Sequence, residues 1–275
     1  MSIQQLAGKV AVVTGAGSGI GRALACRFAQ EKMRVVVADV EQSALDETVS
    51  LLPDDVLARR TDVSRADDVD ALAQETYERF GATHVLCNNA GVFQGGVVWE
   101  RSDADWDWTL GVNVYGIVHG LRAFVPRMIE QGDDGHVVNT ASYAGLVSAA
   151  FCAPYTVSKF AAVALSECLA HDLRAAGAGI GVSVLCPSAV DTRIADSTRN
   201  RPGDEPIPDD ARFVADALRD LASRGLDPAD VAAMVVDAIR ADRFYVPTNA
   251  SYDGLVRGRC EDMLARTVPR SVVYD

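Results

Sequence analysis

A short apolar run, a glycine-rich turn and a helical pattern follow one another near the start of the chain and limit its fold most. The run is Lys9-Val-Ala-Val-Val-Thr14, the turn is Gly15-Ala-Gly-Ser-Gly19-Ile-Gly21, and the alanine-rich helical pattern begins at Arg22. Glycines let the backbone approach a pyrophosphate, and a helix N-terminus supplies free N–H groups and a positive dipole end. The order predicts a phosphate cradle, although the spacing G-x-x-x-G-x-G differs from the dinucleotide fingerprint G-x-G-x-x-G.

Strand patterns and helix patterns alternate along the whole chain. We expect strands at 9–14, 34–39, 56–63, 84–91, 135–141, 181–187 and 244–247, and later helices after Ser64, at 105–128, 154–176 and 228–241, and up to Ala265. Polar residues and glycines stand at several strand ends. With no internal repeat and no sign of a second domain, this alternation predicts one α/β domain over 1–275, a parallel sheet with helices on both faces.

Composition and charge narrow the class of protein. The chain has 275 residues, 49% of them hydrophobic and 23% charged, which is enough for one large domain with a substantial core. A net charge of -12 argues against nucleic acid and anionic membranes as partners, because phosphate groups would be repelled. No apolar run approaches the ~20 residues of a membrane span and no signal sequence is present, so we expect a cytoplasmic protein.

The cysteines and histidines are dispersed along the chain. None of the six cysteines forms a C-x-x-C pair, and the four histidines show no zinc-ligand spacing. We therefore expect reduced thiols rather than disulfides, and no protein-bound metal.

Two acidic residues near the ends of predicted strands are candidate cofactor contacts. Asp39 comes eighteen residues after Gly21, near the spacing of a carboxylate that binds an adenosine ribose. Asp39 would repel a 2′-phosphate, and Ser18 stands in the glycine loop where a basic residue would meet one, so the sequence favours NAD over NADP. Asp39 alternatively caps the next helix. Asp62 either meets an adenine amino group or caps the helix after Ser64.

The second half of the chain carries a candidate acid/base group. Tyr155 and Lys159 are four residues apart in a helical pattern, so their side chains share one face, and a neighbouring cation lowers a phenol pKa. Ser142 ends a predicted strand thirteen residues earlier and is suited to hold a substrate oxygen against that phenol. The alternative is an ordinary surface pair on a helix. Asn113, amid apolar residues, needs hydrogen-bond partners that are either structural or part of a proton path.

The segment from 188 to 227 differs from its surroundings, since acidic residues, arginines and three prolines crowd into it. A polar insertion of this length in a compact domain is more often a mobile lid than a linker. We therefore expect a substrate lid, and this name is kept for residues 188–227.

These motifs together resemble those of the classical short-chain dehydrogenase/reductase family over nearly the whole chain. The matching residues are Thr14-Gly15-x-x-x-Gly19-Ile-Gly21, Asn88-Asn89-Ala90-Gly91, Asn113, Ser142 and Tyr155-x-x-x-Lys159, in the family's order and spacing. The resemblance implies a single-domain Rossmann fold with a seven-stranded parallel sheet, a nicotinamide cofactor, and a homotetramer or homodimer with 106–128 and 154–176 in the interface. The sequence departs from the family's pattern at Ser188, where the family has a glycine. This difference puts in question the path of the loop after the predicted strand 181–187.

The resemblance also implies residue roles. Tyr155 would be the catalytic acid/base, Lys159 would lower its pKa and bind the nicotinamide ribose, Ser142 would orient the substrate, and Asn113 would hold a water that joins Lys159 to solvent. The implied cofactor contacts are Gly15, Ser18, Gly19, Ile20, Gly21, Asp39, Asp62, Val63, Asn89, Ala90, Gly91, Tyr155, Lys159, Pro187, Val190 and Thr192.

The predicted activity is NAD-dependent interconversion of a secondary alcohol and a ketone. Apolar residues after Ser142 and in the lid favour an apolar or aromatic substrate, although they also suit the core or a subunit contact; they are Tyr143, Leu146, Val147, Phe151, Ile194 and Phe213. An NADP-linked carbonyl reductase and a non-catalytic dinucleotide sensor are the alternatives. A serine hydrolase is weaker, because no G-x-S-x-G surrounds Ser142.

Overall fold

Seven parallel strands form one sheet in this computed structural model, which describes residues 3–53, 55–203 and 206–270. The strands are β1 (Val10–Thr14), β2 (Arg34–Asp39), β3 (Val56–Arg60), β4 (Val85–Asn88), β5 (Gly135–Thr140), β6 (Ile180–Cys186) and β7 (Tyr245–Pro247). Their spatial order is β3-β2-β1-β4-β5-β6-β7. The predicted fold class is therefore confirmed.

Helices cover both faces of the sheet. They are α1 (Gly19–Gln30), α2 (Gln42–Val49), α3 (Ala66–Phe80), α4 (Asp103–Leu110), α5 (Gly116–Gln131), α6 (Ala153–Ala175), α7 (Asp209–Ala222), α8 (Pro228–Ala241) and α9 (Asp253–Ala265). Strands buried on both faces need continuous apolar sequence, as in the Val-Ala-Val-Val of β1. Successive side chains of a strand point to opposite faces. Val13 of β1 accordingly packs with Phe28 of α1 and Ile239 of α8, and Val12 packs in the core that contains Phe124 of α5.

The strand order reverses at β1, which pairs with β2 on one side and β4 on the other. The chain adds β2 and β3 on one side of β1 and the later strands on the other. In an open parallel sheet, ligands bind outside the carboxyl ends of the strands at such a point. The residues that follow β1, β2, β4, β5 and β6 meet at this edge. The fold therefore gathers most of the predicted site residues in one crevice.

Two predicted strands end three residues earlier than expected, because side chains replace the ladder hydrogen bonds. β3 ends at Arg60 and not at Val63, since the Asp62 carboxylate accepts hydrogen bonds from Ser64 N and Oγ and turns the chain. β4 ends at Asn88 and not at Gly91, because the next two backbone N–H groups donate to the Thr14 hydroxyl.

Two helix predictions also needed correction. The pattern predicted over 105–128 is not one uniform α-helix, since a π-helical turn, Gly111–Tyr115, separates α4 from α5. The lid contains a short 3₁₀ segment, Ile194–Asn200, and the fourteen-residue helix α7, which the sequence analysis did not predict. Asp204 and Glu205, counted among the polar residues of the lid, lie outside the described residues.

Candidate active site

Ser142 and α6 are brought together by a tight turn after β5. The Ser142 hydroxyl accepts a hydrogen bond from Ala144 N at 3.1 Å, which begins the single 3₁₀ turn Tyr143–Gly145. A Cβ on Gly145 would lie 2.6 Å from the Lys159 carbonyl oxygen. Only glycine therefore lets this turn pack directly on α6, the helix that carries Tyr155 and Lys159.

Tyr155 lies at the wall of the crevice, where its ring contacts Phe93 with 5.0 Å between centroids. Burial raises the pKa of Tyr155 to about 12, although a hydrogen bond with Ser142 acts in the opposite direction. This net direction is opposite to the sequence expectation that Lys159 lowers the tyrosine pKa. Desolvation of the phenolate is the larger effect.

The position of the Lys159 ammonium group explains why it does not lower the pKa of Tyr155. Nζ is 5.5 Å from the centroid of the Tyr155 ring and donates a hydrogen bond to the Thr140 carbonyl at 3.1 Å. The cation thus lies over the ring and is held by β5. Burial lowers the pKa of Lys159 to about 8, because the charged form loses solvation.

Asn113 is buried in the π-helical turn, and its amide is fully used as a donor. Nδ2 donates to the Val92 carbonyl and to Ser158 Oγ, both at 2.9 Å, and Oδ1 accepts from Val92 N at 2.8 Å. A Cβ on Gly91 would lie 3.5 Å from this Oδ1 and 3.4 Å from Lys159 Nζ. Asn113 therefore joins the loop after β4 to α6 close to the Lys159 ammonium. Its role in holding a water stays a prediction.

The glycine loop fits a dinucleotide. Gly15 has a left-handed φ of +66°, and a Cβ there would lie 2.7 Å from the Ala90 Cα; Gly19 has a φ of +51° and faces Thr192. The residue before α1, Ser18, makes no side-chain cap, so the first N–H groups of this twelve-residue helix are not used by a cap. Free N–H groups and a close backbone are what a pyrophosphate requires.

Asp39 ties the end of β2 to the glycine loop. Its Oδ2 accepts a hydrogen bond from Gly17 N at 2.8 Å, and its Oδ1 accepts from Glu41 N at 2.9 Å. The residue that precedes α2 is Glu41, so Asp39 is not the cap of that helix. The carboxylate is held at the crevice, where it suits ribose hydroxyl donors and disfavours a phosphate.

One cavity of about 770 Å³ joins these features. All the predicted cofactor contacts and three of the four predicted catalytic residues line it: Gly15, Ser18, Gly19, Ile20, Gly21, Asp39, Asp62, Val63, Asn89, Ala90, Gly91, Ser142, Tyr155, Lys159, Pro187, Val190 and Thr192. The exception is Asn113, which lies behind the wall. The sequence predictions thus converge on a single site.

The rest of the wall is largely apolar and only partly foreseen. Phe151, Ile194 and Phe213 line the cavity as expected. Val147 is completely buried and does not line it, and neither does Leu146, which packs in the core next to α6. Of the two interpretations left open for these two residues, core packing therefore applies, because the chain turns inward after Gly145.

Sequence reasoning missed several lining residues, among them Phe93, Trp108, Val214, Leu218 and Tyr252. The stripe on α7 was readable, since Phe213, Val214, Ala217, Leu218 and Leu221 recur at the period of about 3.6 residues of a helix. The other residues carry no local signal, because distant elements bring them to the cavity.

Ion pairs fix the lid to the edge of the crevice. Arg199 contacts Glu41 at 2.8 Å, and Arg201 contacts the buried Asp105 at 2.8 Å. The 3₁₀ segment of the lid and the residue after it thereby bridge the turn after β2 and the start of α4. Lid opening and closing stay a prediction.

Ser188, where the resemblance leads one to expect glycine, is accommodated without strain. The described non-glycine residues with left-handed φ are Lys32, Phe151, Asp242 and Arg266, so Ser188 needs no glycine conformation. Its backbone N–H donates to Thr248 Oγ1 at 2.9 Å. The loop after β6 is therefore anchored to the chain after β7.

The fold and the site define a dinucleotide-binding oxidoreductase, and comparison with known proteins agrees. The model of the short chain dehydrogenase family matches residues 9–203, and the chain belongs to this family. No helix among the described residues is long and apolar enough to cross a membrane.

Individual relatives match nearly the whole chain. A short-chain dehydrogenase/reductase from Burkholderia phymatum, solved in complex with NAD, is 43% identical, with a TM-score of 0.97 over 99% of this chain and 100% of that one. The CLA biosynthesis dehydrogenase/reductase of Lactiplantibacillus plantarum is 30% identical over 97% of both chains. The 1-deoxy-11-beta-hydroxypentalenate dehydrogenase of Streptomyces exfoliatus is 35% identical over 93% of this chain and 88% of its own.

Proposed function

We propose that this oxidoreductase uses NAD to interconvert a secondary alcohol and a ketone. The observation that carries the proposal is the position of Ser142, Tyr155 and Lys159 on the wall of the same cavity as the glycine loop and Asp39. A proton-transfer group and a dinucleotide cradle are thereby presented to one bound pair of reactants.

Each residue has a distinct task in this scheme. Ser142 donates a hydrogen bond to the substrate oxygen and holds it against the Tyr155 hydroxyl. Tyr155 removes the hydroxyl proton in oxidation and returns it in reduction, a contribution typically of ~10²- to 10⁴-fold. Lys159 binds the ribose next to the nicotinamide. The cofactor, when bound, supplies the carbon that accepts or donates the hydride.

The preference for NAD rests on Asp39. Its carboxylate is held at the crevice by two backbone N–H groups, and a 2′-phosphate beside it would bring together like charges. The related Burkholderia phymatum enzyme was solved with NAD. In a thermal-shift titration, NAD should stabilise the protein at concentrations where NADP does not. Equal or stronger stabilisation by NADP would instead support the carbonyl reductase of the same fold.

An apolar substrate is proposed from the cavity wall. Phe93, whose ring contacts that of Tyr155, lines the cavity together with Trp108, Ile194 and Leu218. One relative is named as a dehydrogenase of a hydroxylated compound, an 11-beta-hydroxypentalenate derivative. Burial of apolar groups against this wall would supply the binding energy.

The activity itself is tested with a panel of hydroxysteroids, aryl alcohols, terpenoid alcohols and 3-hydroxyacyl compounds, with NADH formation followed by absorbance. We expect turnover of at least one apolar secondary alcohol. NAD binding without turnover of any alcohol, and without reduction of the matching ketones, would contradict the proposal and favour a dinucleotide sensor.

We also propose that copies of the chain associate through α5 and α6. Tyr115 in the turn before α5 is 56% exposed, Ile129 on α5 is 44% exposed and Val157 on α6 is 47% exposed, so both helices present apolar side chains to solvent. Light scattering should give a dimer or tetramer, and a monomer at micromolar concentration would contradict this.

A further inference from the structure

Two aromatic side chains at the cavity are exposed to solvent. Phe151 is 53% exposed and Phe213 is 74% exposed, and both line the cavity that contains Tyr155. Large apolar side chains that are exposed to water in the free protein gain favourable burial when an apolar ligand group covers them. Each ring therefore offers unused contact area to a ligand in the cavity.

The backbone of Phe151 is held in an unusual conformation. Its φ is +61°, in the left-handed region, which a bulky residue adopts only when its surroundings enforce it. The Phe151 carbonyl accepts a hydrogen bond from Gly96 N at 2.6 Å. The surrounding chain thus fixes the position from which this ring projects.

The loop that contains Gly96 and Val97 also fixes the start of α7. Val97 N donates to Asp210 Oδ2 at 2.7 Å, and the buried Arg101 donates to both oxygens of Asp210 at 3.0 Å. Phe213 follows Asp210 by three residues and so lies on the same face of the helix, one turn further on. Residues 96 and 97 therefore connect, through neighbouring backbone N–H groups, the two segments that carry the two rings.

We propose that Phe151 and Phe213 form an aromatic mouth that binds the outer part of an elongated substrate. On the proposed function, which this inference presupposes, the substrate is a secondary alcohol or ketone carried on an apolar chain that reaches from Tyr155 to the mouth. Short alcohols would react at the same groups but leave the mouth unused. Selectivity for length would then reside in two residues that lie away from the reacting atoms.

A homologous series of 2-alkanols from 2-butanol to 2-decanol tests the mouth. Each methylene that becomes buried is worth about fourfold in binding, so kcat/KM of the wild type should rise along the series. In Phe151→Ala and Phe213→Ala the rise should stop early, with a loss of about tenfold for 2-decanol and less than about twofold for 2-butanol. Phe151→Leu and Phe213→Leu should recover most of the loss.

Trp99→Ala is the matched control. Trp99 is 82% exposed and is close in sequence to the Gly96-Val97 loop, but it does not line the cavity. Its removal should leave the chain-length profile unchanged. Equal losses for all chain lengths in the phenylalanine variants, or no loss at all, would overturn the proposal.

The remaining outcomes are also decisive. If no alkanol is oxidised, the proposed function fails for this substrate class, and the mouth is then judged by binding alone. 2-Decanone with NAD should raise the melting temperature of the wild type and of Trp99→Ala more than that of Phe151→Ala or Phe213→Ala. An equal rise in melting temperature in all four proteins would overturn the proposed aromatic mouth. A changed oligomeric state in the phenylalanine variants without a length effect would assign the rings to a contact between copies and overturn it too.

Discussion

The Lys159 ammonium lies over the ring of Tyr155, 5.5 Å from its centroid, while its hydrogen bond goes to the Thr140 carbonyl. The two side chains therefore share a site without a direct hydrogen bond between the Tyr155 hydroxyl and the Lys159 ammonium group. Burial sets the pKa of each group, and it acts in opposite directions on the phenol and the ammonium. This relationship decides how the reaction should depend on pH.

Alcohol oxidation should accelerate with rising pH. In the proposed mechanism the phenolate of Tyr155 is the active base, and burial raises the pKa of Tyr155 to about 12, so the fraction of phenolate grows through the neutral and alkaline range. Ketone reduction, which needs the protonated phenol, should not show this rise. Steady-state kcat/KM with NAD across this range checks the expectation.

Ser142→Ala sharpens the same test. The Ser142 hydrogen bond lowers the pKa of Tyr155, so its loss should move the oxidation profile to higher pH as well as reduce the rate. A reduced rate with an unshifted profile would contradict the coupling between the two hydroxyl groups.

NAD binding should depend on Gly17, which was not among the predicted contacts. A Cβ at this position would lie 2.8 Å from Asp39 Oδ2, so Gly17→Ala should displace the carboxylate that we propose to bind the ribose. We expect NAD binding to weaken by about tenfold, equal to about 1.4 kcal/mol, in isothermal titration. Gly254→Ala is the control, because a Cβ there meets nothing within 4 Å. Unchanged NAD affinity in Gly17→Ala would show that Asp39 does not act through this contact.

Acid should destabilise the fold through His136, which is far from the cofactor crevice. Ser183 Oγ donates to the Arg243 carbonyl and so accepts from His136 Nε2, which leaves the buried Nδ1 unprotonated and without a partner. Burial lowers the pKa of His136 to about 4, and nearby Asp242 only partly opposes this. The unfolded chain, with a histidine pKa of about 6.5, binds the proton first.

The pKa of His136 is lower in the folded protein than in the unfolded chain. The contribution of neutral His136 to the stability of the fold is therefore complete above about pH 6.5 and is lost as pH falls towards about 4. Between about pH 6.5 and pH 5 the loss is about 2 kcal/mol, measured as the free energy of unfolding in urea. His136→Gln should lack this part of the pH dependence, whereas the exposed His171→Gln should retain it. Parallel pH profiles for wild type and His136→Gln would contradict the assignment.

Local patterns predicted the elements, and tertiary contacts decided what the patterns left open. β2 and α8 have the predicted bounds, because their sequences carry uninterrupted strand and helix signals. The π-helical turn was not predictable, since it accompanies hydrogen bonds from Asn113 to Val92 and Ser158, far apart in sequence. α7 was missed because acidic residues and prolines before it obscured its apolar stripe.

In the candidate site too, local motifs predicted some features and tertiary contacts determined the others. Motif spacing placed the glycine loop, Asp39 and Tyr155 at one cavity, because parallel strands bring their carboxyl ends to one edge. The four-residue spacing of Tyr155 and Lys159 correctly put both on one face of α6. It did not predict that the Thr140 carbonyl would hold the ammonium, nor that desolvation would dominate the tyrosine pKa.

The most direct test of the proposed chemistry is the turnover of Tyr155→Phe with its NAD affinity measured in parallel. The variant keeps the ring that contacts Phe93 and loses only the hydroxyl that we propose to transfer the proton. We predict that kcat/KM for alcohol oxidation falls by at least about 10²-fold while the dissociation constant for NAD is unchanged. Turnover equal to that of the wild type would contradict the assignment of Tyr155 as the acid/base group.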